Sequence, residues 1–233
     1  MGTEVESAEV IRQRIADQLE RQQKAAQALR TSGSFITFAR AILKVNGVPV
    51  PNNQAEVRVL AAIPERAWYD GAYDPDEPQV PACYALDSGE PHPEASDPQS
   101  DTCMGCPKNK WGTAPPRPGS NVPGKGKACR EGARLIVMPA NIPLKSAPMY
   151  TAKVPVTSLN VVQTYMDRCA NSGRMMGEFI GVLSVVEDKR SFFKVGLEIK
   201  EHTPDLDPIL LMNKMDAAME LAMQPYPNLN SQD

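Results

Sequence analysis

Cys83, Cys103, Cys106 and Cys129 are the residues of this chain best suited to chemistry, and their spacing says which. Cys103-Met104-Gly105-Cys106 is a Cys-x2-Cys knuckle, whose two intervening residues curl back so that both thiolates can grip one metal ion. After twenty-two intervening residues, Gly124-Lys125-Gly126-Lys127-Ala128-Cys129 supplies a third sulfur, and nineteen residues separate Cys83 from the knuckle. The pattern predicts a tetrahedral four-cysteine site for Zn2+. His92 is the rival fourth ligand in place of Cys83; Cys83 is preferred because His92 sits between Pro91 and Pro93 in an acidic segment. Cys169 falls on the apolar side of an expected helix and reads as a plain buried thiol.

The surrounding sequence needs such a centre. Residues 64–132 are rich in Pro, Gly, Asp, Lys and Ser and poor in Leu, Ile and Val, so they bury too little apolar area to offset their chain entropy. A structural zinc resolves the conflict, since metal binding contributes roughly 10–16 kcal/mol of folding free energy in zinc-finger peptides. Charge is also unevenly spread. The chain's formal charge is −3, yet Pro64 to Thr102 holds ten acidic residues against Arg66, and Cys103 to Arg134 holds seven basic residues against Glu131. A basic patch on a metal-fixed loop suits phosphates, with Lys108, Lys110, Arg117, Lys125, Lys127 and Arg130 as contacts and Trp111 as a stacking surface. Two bland alternatives compete: the charges pair with the acidic block, and Trp111 is a lid over the knuckle.

The elements that would position these residues can be read from periodicity. Glu4 to Arg30 predicts an amphipathic helix with Ala8, Ile11, Ile15, Leu19, Ala26 and Leu29 on one stripe. Strands are expected over Phe35–Val45 (turned at Asn46-Gly47), Glu56–Ile63, Ala133–Met138 and, as a short extra one, Tyr150–Val156. Thr157 or Ser158 should cap a helix running to Asn171 and stopped by Gly173, followed by a hairpin of Glu178–Val186 and Phe192–Lys200. A last helix from Asp207 to Met223 carries an apolar stripe of Leu211, Met212, Met215, Ala218, Met219 and Ala222. Strand, strand, strand, helix, strand, strand is the order of the OB-fold barrel. The expectation is therefore an α+β, mainly β protein: an N-terminal helix at 1–32, a five-stranded OB-like barrel at 33–202 with the zinc loop inserted at about 70–132, and a C-terminal helix and tail at 203–233. The two end helices should cover the barrel or pair between chains as a homo-oligomer.

Cys103 to Gly112 (Cys-x2-Cys-Pro-x-Asn-x-Trp-Gly), Gly124 to Arg130 (Gly-Lys-Gly-Lys-Ala-Cys-Arg) and Arg134-Leu135 resemble a family of tailed-bacteriophage proteins that travel with phage replication and recombination functions. Cys83-Tyr84-x-x-Asp87-Ser88-Gly89-x-Pro91 and Pro155-x-Thr157-Ser158 are similar to it as well, and the similarity spans Phe35 to Lys200. The resemblance implies a zinc-stabilised protein that binds single-stranded DNA or assists DNA metabolism. One departure is the ending Asn228-Leu229-Asn230-Ser231-Gln232-Asp233, which is not the strongly acidic tail common in replicative single-strand binders.

Other classes are disfavoured. His92 and His202 fit no metal or triad spacing, and there is no Gly-x-Ser-x-Gly, no His-Glu-x-x-His and no phosphate-binding-loop glycine spacing. Four thiolates would close a zinc shell, whereas catalytic zinc keeps an open position. The carboxylates between Asp70 and Asp101 could serve a magnesium-dependent nuclease, but their Pro-rich setting reads as a solvated linker. The chain is expected to be no enzyme. The start Met1-Gly2-Thr3-Glu4 lacks an apolar signal core and no run is long enough for a membrane helix, so the expected place is the cytoplasm of an infected bacterial host. The alternative function is a zinc-knuckle interaction module, a transcription or host-takeover factor docking phage or host replication or transcription proteins.

Overall fold

The computed structural model describes residues 34–71, 80–86, 89–116, 122 and 124–226, apart from Arg40 and Arg190. The helix expected over Glu4–Arg30, the polar ending from Asn228, and Arg117 lie outside the described residues. The elements are β1 (Phe35–Ala39), β2 (Ile42–Val45), β3 (Val48–Pro49), β4 (Gln54–Trp68), β5 (Cys83–Leu86), β6 (Arg130–Pro139), β7 (Tyr150–Pro155), α1 (Leu159–Asn171), β8 (Phe179–Asp188), β9 (Phe192–His202) and α2 (Pro208–Ala222). The fold is α+β and mostly strand, a nine-stranded sheet curled like half a barrel. Its order is β3-β2-β1-β7-β6-β4-β8-β9, with β5 paired to β4 off that path. All pairings are antiparallel except β1 with β7.

Local chemistry explains where these elements break. The strand expected over Phe35–Val45 is two strands, because the chain reverses at Ala41 (φ 59°) and pairs Ile36 with Val45. Asn46 and Gly47, at φ 49° and 80°, form the expected turn into β3 with the two left-handed residues that short hairpins favour. α1 stops at Gly173 (φ 67°) as expected. Ser158, however, does not cap it: its Oγ accepts instead from the Val195 N–H of β9 at 2.9 Å, so it ties α1 to the sheet.

β4 is longer than its alternation suggests and serves two cores. Val57 and Val59 point into one cluster with Leu135 and Val137 of β6, Val154 of β7, Leu183 and Val185 of β8, Val195 and Leu197 of β9, and Val162, Tyr165 and Cys169 of α1. Ala61 and Ile63 continue the same odd-numbered series in sequence, yet they join the other cluster, with Ile136, Met138 and α2. A bulge between Val59 and Ala61 shifts the register and turns the odd positions to the opposite face. α2 begins at Asp207, whose carboxylate accepts from the Ile209 and Leu210 N–H groups at 2.9 and 3.1 Å. Leu211, Ala218 and Ala222 bury against the sheet, while Met212 and Met219 stay exposed.

A buried ionic group locks the end of α2 to the sheet. Glu65 of β4, 2% exposed, accepts from Arg134 Nε of β6 at 3.1 Å and faces Lys153 Nζ of β7 at 2.6 Å. Arg134 also donates to the Ala222 and Gln224 carbonyls at 2.9 and 2.7 Å, satisfying backbone acceptors that a helix C-terminus leaves open. Tyr226 donates to Glu65, and its ring meets Tyr84 of β5 edge-on at 4.9 Å. The segment after α2 is thereby fastened to the strand that carries Cys83.

Candidate metal centre and basic loop

Cys83 and Cys129 are delivered by the sheet from either side of β4. Trp68 of β4 pairs with Cys83, and Ala67 pairs with Arg130, the residue after Cys129. The knuckle is built between them. Cys106 leads into a short 3-10 turn over Pro107–Asn109, in which the Asn109 N–H donates to the Cys106 carbonyl at 3.1 Å. Asn109 Nδ2 donates to the Cys103 carbonyl at 2.9 Å, closing the knuckle on itself. The Cys103 N–H donates to Gly89 O, and the Cys129 N–H donates to Lys108 O at 2.8 Å. Thus Cys103 and Cys129 are tied by backbone bonds to neighbouring segments, and Cys106 to its own turn.

These connections bring all four cysteines to one cavity of about 10 Å³, together with Arg66, Trp68, Tyr84 and Lys108. All four are buried free thiols. Burial pushes the Cys129 thiol up to about 11, with Cys103, Cys106 and Cys83 adding to it and Arg66 opposing. Cys83 is raised by burial and by the same neighbours Cys103 and Cys106. A buried group of thiols suits a divalent cation, which takes thiolates as ligands and releases their protons. Among the described residues no set of three or more His, Cys, Asp or Glu side chains already stands at metal-binding separations, so a closed shell is not preformed. The donor chemistry and convergence fit zinc. His92 is placed elsewhere: it stacks on Tyr84 at 5.0 Å, and its Nδ1 lies 3.1 Å from Tyr84 Oη and accepts from the Glu94 N–H. Cys169 is buried in α1, far along the chain from this group and among core side chains.

The basic loop is a small backbone-paired unit on top of the knuckle. Gly112, Thr113 and Ala114 donate from their N–H groups to the Gly126 carbonyl, and the Gly124 N–H donates to Ala114 O at 2.9 Å. Gly124 is needed for this pairing, because a Cβ there would stand 3.0 Å from Ala114 Cβ and 3.3 Å from Pro115 O. Gly126 has more room, its Cβ position being 3.7 Å from the same methyl group. Thr113 Oγ1 links the unit, donating toward the Lys110 carbonyl at 2.7 Å and accepting from the Ala128 N–H at 3.0 Å.

The expected contacts separate into different settings. Trp111 is 78% exposed, so it is no lid over the thiols. Lys127 lies 5.8 Å from the Trp111 ring centre and pairs with Glu131 at 3.0 Å. Lys110 and Lys125 are exposed and carry no ion pair among the described residues. Arg130 is exposed at the start of β6. Lys108 is half-buried at the cavity, with Nζ 4.5 Å from the Trp68 ring centre. Periodicity gave no sign of Arg66 and Trp68 in this wall, since Pro64 and Glu65 read as the end of a strand that in fact continues to Trp68.

No described helix is long and apolar enough to cross a membrane. No protein-family model, no curated protein and no solved structure matches this chain.

Proposed function

We propose that this chain binds single-stranded DNA in phage-type replication or recombination, using a loop fastened by one structural zinc ion on Cys83, Cys103, Cys106 and Cys129. The observation that carries the reading is Trp111, an indole 78% exposed between the unpaired Lys110 and the Gly-Lys-Gly-Lys segment. An exposed indole costs solvation, and here it is flanked by cations, the combination with which sequence-tolerant strand binders stack bases and track phosphates. Zinc would act as a crosslink holding the loop's two flanks together, with no part in a reaction. Lys110, Lys125, Lys127, Arg130 and Arg117 are the phosphate contacts in this reading.

The sheet order supports an OB-like assignment in a different phase from the one the sequence suggests. Taking β4, β6, β7, β8 and β9 as strands one to five, their order in the sheet is three-two-one-four-five, with α1 between the third and fourth. That order is compatible with an OB-like barrel opened between β7 and β9, with β1 in the parallel place beside β7. The cysteine loop then joins strands one and two, a connection OB folds use for oligonucleotides. A protein-docking module is the second reading, favoured by Met104, an apolar side chain 92% exposed at the knuckle tip.

Titration of a labelled oligonucleotide at several salt concentrations tests both. Trp111→Ala should weaken single-strand binding by roughly 5- to 150-fold, the equivalent of about 1–3 kcal/mol for one stacked base. Lys110→Glu with Lys125→Glu should lower the log–log salt slope by about 1.4, two phosphates at 0.7 each. Unchanged affinity and slope in both variants would favour the protein-docking reading.

A further inference from the structure

Arg66 and Lys108 both line the cavity that the four cysteines share. We infer that they are the counter-charges of the four-thiolate centre, so that Lys108 serves the metal and not the DNA. The inference rests on the zinc reading above and deepens it. One Zn2+ with four thiolates carries two net negative charges. Such a charge is strongly unfavourable in an enclosed, largely apolar space unless cations stand beside it. The cavity wall supplies two: beside the cysteines, Arg66 and Lys108 are its charged residues, set among neutral polar ones such as Gln99, Ser100 and Asn109 and apolar ones such as Trp68, and no Asp or Glu lines it among the described residues. This is notable in a segment whose sequence from Pro64 to Thr102 carries ten acidic residues. Asp97 acts on Cys83 from outside the wall.

Arg66 has one long ion pair, and Lys108 has none among the described residues. Arg66 Nε pairs with Glu131 Oε1 at 3.8 Å, and that same oxygen accepts from Lys127 at 3.0 Å, so the carboxylate is shared. Among the described residues Lys108 has no carboxylate partner; its ammonium rests over the Trp68 indole, 4.5 Å from the ring centre. Its own carbonyl accepts from the Cys129 N–H, so the residue that brings a cation to the wall also anchors a ligand. With one divalent ion, the two net negative charges of the thiolate centre would face two cations, Arg66 and Lys108.

The test uses the full chain, loaded with Co2+ for its spectrum and with Zn2+ for affinity against a chromophoric chelator. Arg66→Gln and Lys108→Gln should each weaken zinc by about tenfold and together by about a hundredfold, the range for residues that support metal ligands from behind. The charge-keeping pair Arg66→Lys and Lys108→Arg should stay near wild type, which guards against a mere packing effect. At saturating zinc, Lys108→Gln should leave the salt slope for single-stranded DNA unchanged. Wild-type zinc affinity in the double Gln variant, or equal losses in the charge-keeping pair, overturns the inference. A wild-type chain that gives no tetrahedral cobalt–thiolate spectrum overturns the zinc reading itself, and this inference with it.

Discussion

Glu65→Ala is expected to lower folding stability by about 3–5 kcal/mol, the usual cost of removing one partner from a buried ion pair. The carboxylate is almost wholly enclosed, and its loss leaves Arg134 and Lys153 facing each other without a counter-ion. It also removes the acceptor of Tyr226 and so loosens the chain after α2. Glu65→Gln should cost less, since it keeps one oxygen for Arg134. The pH dependence carries a definite sign. Burial pushes the Glu65 carboxyl up, but Lys153 and Arg134 more than offset it, and the net shift is downward. A carboxylate lowered in the folded state contributes stability above its unfolded value, near 4.3, and loses it as pH falls through the folded one. Urea unfolding between pH 7 and pH 3 should therefore show an acid loss in the wild type that Glu65→Gln lacks. A change below about 1 kcal/mol in Glu65→Ala would mean that water enters and relieves the two cations.

Cys106→Ser should release the metal and melt the loop while leaving the sheet. Zinc binding in small metal-folded peptides is worth about 10–16 kcal/mol, as much as the whole stability of an ordinary domain. Between Gly89 and Cys129 there is little else to hold the chain: the described part has two buried alanines, Ala95 and Ala128, besides the cysteines. Amide exchange should accelerate across 89–129. Protection should return at Arg134, which is pinned by Glu65 and by the α2 carbonyls whatever the metal does. Elemental analysis should give one zinc per wild-type chain and none for the variant. Wild-type protein without zinc or iron would end the metal reading, and uniform melting of sheet and loop would show that the two are not separable.

How much of this was legible beforehand depends on the range of the interactions. The hairpin at Asn46-Gly47, the stop at Gly173 and the Asp207 cap are local, and their residues announce them. That the four cysteines line one cavity was legible from their clustering in sequence, although no three of them stand at metal-binding separations. The bulge at Leu60 was not, since an odd-numbered apolar series looks the same whether it stays on one face or crosses to the other. The break at Ala41 was hidden for a similar reason: both halves are apolar strand formers, and only the reversal separates them. Arg134 was counted among loop charges, though it is buried, because its partners lie 69 and 88 residues away in the chain. Ser158 looked like a cap, and tertiary structure gave its hydroxyl another donor.

Glu65 and Arg66 are adjacent in β4 and so face opposite ways, one toward α2 and the other toward the thiols. The strand therefore works as a reading frame shared by two sites. Substitution can damage either alone, but a change of length damages both. One residue inserted after Ile63 would turn the carboxylate toward the cysteines and drive the guanidinium under the helix, placing each charge where its sign is wrong. Such a chain should lose zinc and unfold at lower urea together, whereas no single replacement at these two positions should do so. Tolerance to insertion along β4, scored for both properties, would show how far the sheet register itself encodes the function.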